Sequence, residues 1–281
     1  MSVVIERVKE AGPQLTAAER RVAKVVIERP QLVGFGTVAD LAEAAGAGAA
    51  TVVRLAAKLG FDGFSALQAS VQEDLARQLR PAAERIRELG GDQPIERHRT
   101  AELSNVQATI DAVDPAVLEA VVELLADLGR DVHVLSGEAE RGVAAQFAYE
   151  LGALRPGVLL LGGSEVLVRR ELALSAPGAV VVAVDLRRYE RWVLDAVADA
   201  KDRGHRLVAV SDGLLSPLAL AAEHAFVVSA ASVSAFDSHV GTLALLNLVV
   251  ANVAERLKDS AADRLQRVES SWAAGRSLSS G

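Results

Sequence analysis

The sequence predicts an all-α N-terminal domain joined to an α/β domain built on a doubly wound parallel sheet, and three observations predict it. Through the first 80 residues, apolar positions recur at helical spacing between capping signals. From Asp114 onward, short β-branched runs alternate with amphipathic stretches long enough to serve as crossovers. Between the two lies Gly90-Gly91-Asp92-Gln93-Pro94, flanked by charged helical pieces, which is linker chemistry. The expected division is 1–80, a helical linker over 81–113, an α/β domain over 114–258 and a tail over 259–281.

Taken in order, Thr16-Ala17-Ala18-Glu19 forms a capping box, in which the Thr16 hydroxyl and the Glu19 carboxylate satisfy the free amides of a first turn. Val22, Val25 and Val26 follow at helical spacing, and Pro30 is expected to stop that helix. Thr37-Val38-Ala39-Asp40 opens a second, short helix ending at Gly46. Ala49–Leu59 makes a third, closed by Gly60, and Ser65–Leu79 a fourth. The expected strands are Val132–Leu135, Val158–Leu161, Val180–Val184, Leu207–Val210 and Phe226–Val228. Gly142–Leu154 and Glu190–Arg203 are expected crossover helices, and the end, Ser277-Leu278-Ser279-Ser280-Gly281, is expected to fray.

Composition narrows the function classes. The 281 residues are 51% hydrophobic and 24% charged, which excludes a disordered or fibrous chain. The absence of cysteine excludes disulfides, thiolate metal sites and a cysteine nucleophile. The first ten residues mix charge with apolar side chains and contain no secretory h-region, so a cytoplasmic location is expected. The longest apolar run, Gly241–Ala254, contains Asn247 and is shorter than the roughly 20 residues of a membrane span, so no membrane role is expected. The net charge of -7 is uneven: residues 1–80 hold 10 Lys and Arg against 9 Asp and Glu, and residues 81–281 hold 20 against 28. An N-terminal domain at +1 has no strong basic field, so any DNA contact must rest on a few placed cations.

Val38–Ala57 fits the helix-turn-helix template. Ala42 is small where the helices cross, Gly46 supplies a turn with positive φ, and Val52 and Leu55 plug the second helix into the core. Thr51, Arg54 and Lys58 recur at i, i+3 and i+7 and are expected to form an outward stripe of donors; with Thr37 they are the candidate DNA contacts. Three polar residues on a helix are also what an ordinary solvated face looks like. Gly46-Ala47-Gly48-Ala49-Ala50-Thr51 lacks the third glycine and the preceding strand of a dinucleotide fingerprint.

These residues resemble the RpiR/MurR family of bacterial transcriptional regulators. The resemblance is carried by Leu15-Thr16-Ala17-Ala18-Glu19-Arg20-Arg21-Val22-Ala23, Thr37-Val38-Ala39-Asp40-Leu41-Ala42, Ala50-Thr51-Val52-Val53-Arg54-Leu55 and Lys58-Leu59-Gly60-Phe61-Asp62-Gly63-Phe64. It implies a helical reader of double-stranded operator DNA joined to a sugar isomerase (SIS) domain that senses a sugar derivative. The pattern after Asp114 is similar to that module, including Ala200-Lys201-Asp202-Arg203-Gly204, Val210-Ser211-Asp212 and Ser216-Pro217-Leu218. A homodimer or homotetramer is expected, with no cofactor, no metal and no catalytic residue.

Both phosphate-binding turns of the SIS pattern are altered. Aligned through Ala148-Tyr149-Glu150-Leu151, the family's Gly-x-Gly-x-Ser turn falls on Ser136, Glu138 and Glu140. Its Ser-x-Ser-Gly-x-Thr turn falls on Asp185, Leu186, Arg187, Arg188, Tyr189 and Glu190. Two readings stand: a pocket with a changed ligand, in which Arg187, Arg188 and Arg191 hold an anion while the glutamates take hydroxyls or an amine, or a scaffold in which these charges pair with one another or with solvent. The weaker alternatives are an active isomerase or another hydrolytic enzyme, and a catalytic or purely metabolite-binding sugar-phosphate protein whose helical domain is an interaction module that does not bind DNA. There is no Gly-x-Ser-x-Gly elbow, and His98, His133, His205, His224 and His239 have no metal-ligand spacing.

Overall fold

A computed structural model describes residues 3–78, 81–214 and 216–275; Leu79 and the Ser277–Gly281 end lie outside the described residues. The chain divides into two compact units, one running through Ala101 with two short loop pieces, the other holding Glu102–Asp212, Ser216–Ala230 and the chain from Asp237.

The first unit packs α1 (Val3–Ala11), α2 (Ala17–Glu28), α3 (Pro30–Phe35), α4 (Val38–Ala44), α5 (Ala49–Lys58) and α6 (Gly63–Gln78) around Val22, Val26, Val33, Leu41, Val52, Leu55 and Leu67. Both capping boxes form. The Thr16 amide donates to Glu19 Oε2 at 2.8 Å and the Thr37 amide to Asp40 Oδ2 at 2.7 Å. Pro30 does more than stop a helix, because it opens α3 from its first position. There its fixed φ is already helical and the N–H it lacks would have had no partner.

The stretch expected as a linker holds α7 (Ala82–Arg85) and α8 (Pro94–Asp111). The second half of α8 belongs to the second unit, where Asn105 and Thr109 are fully buried. The Thr109 hydroxyl accepts from the Ser229 amide at 2.9 Å, and Asn105 Oδ1 accepts from the Ser229 hydroxyl at 3.0 Å. A helix that docks through an amide and a hydroxyl carries no apolar stripe, so periodicity does not reveal it.

The second unit follows the expected α/β order: α9 (Pro115–Ala126), β1 (Val132–Ser136), α10 (Arg141–Leu154), β2 (Val158–Leu160), α11 (Glu165–Leu174), β3 (Val180–Val184), α12 (Arg191–Asp202), β4 (Arg206–Ser211), α13 (Pro217–Ala221), β5 (His224–Val227) and α14 (Val240–Gly275). The five strands are all parallel in the order β2-β1-β3-β4-β5. Period-two alternation buries both faces: Val132, Val134, Val180, Val182, Val208 and Val210 pack under α9, α10 and α14, while Leu135, Val181, Ala183, Leu207 and Ala209 face α11, α12 and α13. β3 has the expected bounds, and the other strands differ from expectation by one or two residues at an end, most at β5, where His224 and Ala225 join the ladder because β4 offers them a pairing edge. The apolar run from Gly241 lies inside the 36-residue α14, which is long and apolar enough to cross a membrane. Its Leu245, Leu246, Val249 and Val253 are instead core residues of this unit, and the helix is kinked at Lys258.

Candidate DNA-reading helix and effector site

The helix-turn-helix is built as its spacing requires. Gly46 adopts φ +55°, and the Ala47 amide closes the turn onto the Ala42 carbonyl at 2.9 Å. Arg21 of α2, which the motif did not single out, donates to the Ala45 and Gly46 carbonyls at 3.2 and 3.1 Å and ties that turn to the core. Thr37 is exposed, with its hydroxyl and amide engaged by Asp40.

The expected outward stripe on α5 is corrected at one of its three positions, Thr51, while Arg54 and Lys58 are exposed. Thr51 is only 7% exposed, and its hydroxyl accepts from Arg54 Nη2 at 3.1 Å. Lys58 points back to α2, where its ammonium donates to Glu19 Oε2 at 2.7 Å and to the Gln14 carbonyl at 3.3 Å. Seven residues are nearly two full turns, so Lys58 stands over Thr51 at the border of the packed face rather than opposite it. The Lys58 hydrogen bond, with those from Thr16, pulls the Glu19 carboxyl down to about 2. Lys58→Ala is therefore expected to lower the melting temperature and leave operator affinity close to wild type, as thermal unfolding and DNA titration would report. A large uniform loss of DNA affinity would restore Lys58 as a phosphate contact. The face that α5 does present consists of Ala49, Ala50, Val53, Arg54 and Ala57, with Lys58 exposed at its border.

In the second unit β1 leads to β2 on one side while β3 pairs on the other, so the carboxyl ends of β1 and β3 flank the switch point where doubly wound sheets hold ligands. Ser136 ends β1, buried, and the Gly137 amide donates to the Val184 carbonyl at 3.1 Å. A Cβ on Gly137 would lie 2.8 Å from Glu140 Oε2 and 2.9 Å from Asp185 Oδ1, so a side chain there would have to displace the two carboxyl ends. Glu140 is 4% exposed and Asp185 is also buried. Desolvation, then the charges of Asp185, Glu190 and Asp237, push the Glu140 carboxyl up to about 8. Burial first, with Glu190 and Asp212 nearby, lifts Asp185 to about 6.

The remaining expected residues separate. Glu138 is exposed and pairs with Arg141 at 3.2 Å, so one glutamate, not two, enters the cradle; the Glu138 amide donates to Glu190 Oε1 at 2.6 Å. Glu190 also accepts from the Trp192 indole, and its own amide donates to Asp185 Oδ2 at 2.9 Å. Arg187 sits at φ +58° with its amide donating to Asp212 Oδ1 at 3.2 Å, while its guanidinium is held by Asp237 at 2.7 Å. Arg188 and Arg191 are exposed. Tyr189 of the altered turn donates its hydroxyl to Asp212, and Asp212 and Asp237 are cluster members that the sequence reading does not include. Asp212 follows β4 as Asp185 follows β3, a signal that was available; Asp237 lies 50 residues from Arg187 and left none. His133 and His205 are packed, their ring centroids 6.4 Å apart.

Comparison with known proteins agrees with both halves of this geometry. Residues 2–78 match the helix-turn-helix domain of the rpiR family, and residues 137–252 match the SIS domain. The sugar isomerase domain of an RpiR transcription factor from Sphaerobacter thermophilus is 30% identical, with TM-score 0.58, over 63% of this chain and 99% of that one. The chain belongs to the RpiR family. It is a DNA-binding transcriptional regulator with a helix-turn-helix and a SIS domain. This RpiR-family chain is also 26% identical to the HTH-type transcriptional regulator HexR of Pseudomonas aeruginosa, over 79% of this chain and 77% of HexR. NanR of Vibrio vulnificus, solved with ManNAc-6P, shares the fold at 21% identity and TM-score 0.58 over 96% of this chain and 97% of that one.

Proposed function

We propose that this regulator reads operator DNA through Arg54 on α5 and answers to a small polar metabolite at the β1/β3 switch point, without catalysing a reaction. It would work in the cytoplasm, as a dimer or tetramer placing two reading helices on inverted half-sites about one helical turn, or a multiple of it, apart. The observation that carries the DNA reading is the state of the two α5 cations: Lys58 is spent on Glu19, and Arg54 is exposed with its fork held by Thr51. Duplexes enriched from random sequence by the full-length protein would supply the operator. Arg54→Ala is then expected to lose about 1 to 3 kcal/mol and blur preference at one position, as loss of a bidentate arginine–guanine contact does. Unchanged affinity and consensus would sink the assignment.

For the effector, the buried Glu140 and Asp185 argue against a phosphate dianion in the cradle. Each unit charge at 4 Å costs about 4 kcal/mol at an effective dielectric near 20. Burial, and after it the charges of Asp185, Glu190 and Asp237, already penalise negative charge on Glu140, so a further dianion is disfavoured and hydroxyls or an amine suit the site better. Calorimetric titration is expected to find hexose phosphates silent on wild type and weakly bound by Glu140→Ser, with amino sugars giving the stronger signal on wild type. Micromolar binding of an ordinary hexose phosphate by wild type would overturn this reading.

A further inference from the structure

We infer that α5 reads a thymine beside the guanine taken by Arg54, through its 5-methyl group, with Val53 as the residue that recognises it. This rests on α5 being the recognition helix and adds a second base to what it reads. The exposed residues of α5 are Ala49, Ala50, Val53, Arg54, Ala57 and Lys58; Lys58 is held by Glu19, so the side chains beside the arginine that are left without a polar partner are apolar. The alanines are strong helix formers and need no further reason to be there. Val53 is different. It is a poorer helix former than alanine, is 46% exposed, and is not part of the apolar core that the other α5 valine, Val52, enters, so it returns little to the stability of the fold.

Val53 and Ala50 are three apart and Arg54 is four from Ala50, so the three share one patch of helix surface. In the major groove the thymine 5-methyl is the one apolar group on the base edges, and guanine O6 and N7 are the acceptors that an arginine fork fits. The Arg54 fork is steadied from below by the Thr51 hydroxyl. With a rise of about 3.4 Å per base pair, Val53 can reach a methyl within about two base pairs of the guanine.

The test uses full-length protein and duplexes enriched from random sequence, with each thymine of the consensus half-site replaced singly by deoxyuridine, which removes only the methyl. Wild type is expected to lose about three- to fivefold at one thymine near the guanine, the scale of one buried methyl. Val53→Ala should lose that penalty yet keep the full penalty for replacing the guanine; the side chain is on the surface, so the variant folds. Deoxyuridine without effect at every thymine, an equal penalty in Val53→Ala, or a consensus with no thymine within reach would each overturn the inference. If instead Arg54→Ala keeps wild-type affinity and guanine preference, or no sequence is enriched, the recognition-helix reading itself fails, and the thymine contact with it.

Discussion

At pH 8.5 the Glu140→Gln protein is expected to be more stable than wild type by a few kcal/mol, and the two should converge near pH 5. Glu140 has its folded-state carboxyl pushed up to about 8 from an ordinary 4.5, by burial first and by Asp185, Glu190 and Asp237 after it. Between those two values the native protein binds a proton that the unfolded chain has released, so wild-type stability falls as pH rises through this window. Each unit of raised pKa corresponds to about 1.4 kcal/mol. Asp185, lifted to about 6 from 3.8, adds a loss of the same sign at lower pH, and that part should persist in the glutamine variant. Urea midpoints measured from pH 5 to 8.5 on both proteins check the expectation. A wild-type curve as flat as that of Glu140→Gln would mean that Glu140 is ionised in the native state and that the cradle is open to water. The same linkage bears on the effector, because an amine seated between Glu140 and Asp185 would stabilise their ionised forms and release a proton on binding, whereas a neutral polyol would not.

The second large effect lies away from both sites. Arg155 is 1% exposed, and its guanidinium donates to four carbonyls: Leu125, Asp127 at 3.1 Å, Arg130, and Pro156 at 3.0 Å. It thereby satisfies the end of α9 and the turn that feeds β1, where a cation also meets the negative end of the helix dipole. Arg155→Met keeps the apolar stem and removes every donor, leaving carbonyls buried without partners, so a loss of about 3 to 5 kcal/mol is expected. Denaturant unfolding followed by far-UV circular dichroism would measure it. A loss below about 1 kcal/mol would mean that water replaces the guanidinium at these carbonyls.

The sequence by itself determined whatever depends on near neighbours along the chain. Both capping boxes, the Gly46 turn, the plugging of Val52 and Leu55, and the five-strand rhythm were legible because each is set within a few residues by hydrogen-bond reach or by period 2 or 3.6. The altered turns were legible too, since Glu140 and Asp185 could be placed at strand ends by counting. What only the tertiary structure decided is which way each polar side chain turned. Lys58 and Glu19 are 39 residues apart, Arg187 and Asp237 are 50, and no local pattern announces either pair. Thr51 reads as a surface residue in the sequence because a helix of known phase still has an unknown partner, and here α2 covers the side that Thr51 and Lys58 border. Glu138 and Glu140 look equivalent in sequence, yet one meets solvent while the other is shut in with Asp185 and keeps its proton. That difference comes from burial and from the charges of residues brought in by other strands, both of which exist only once the chain has folded.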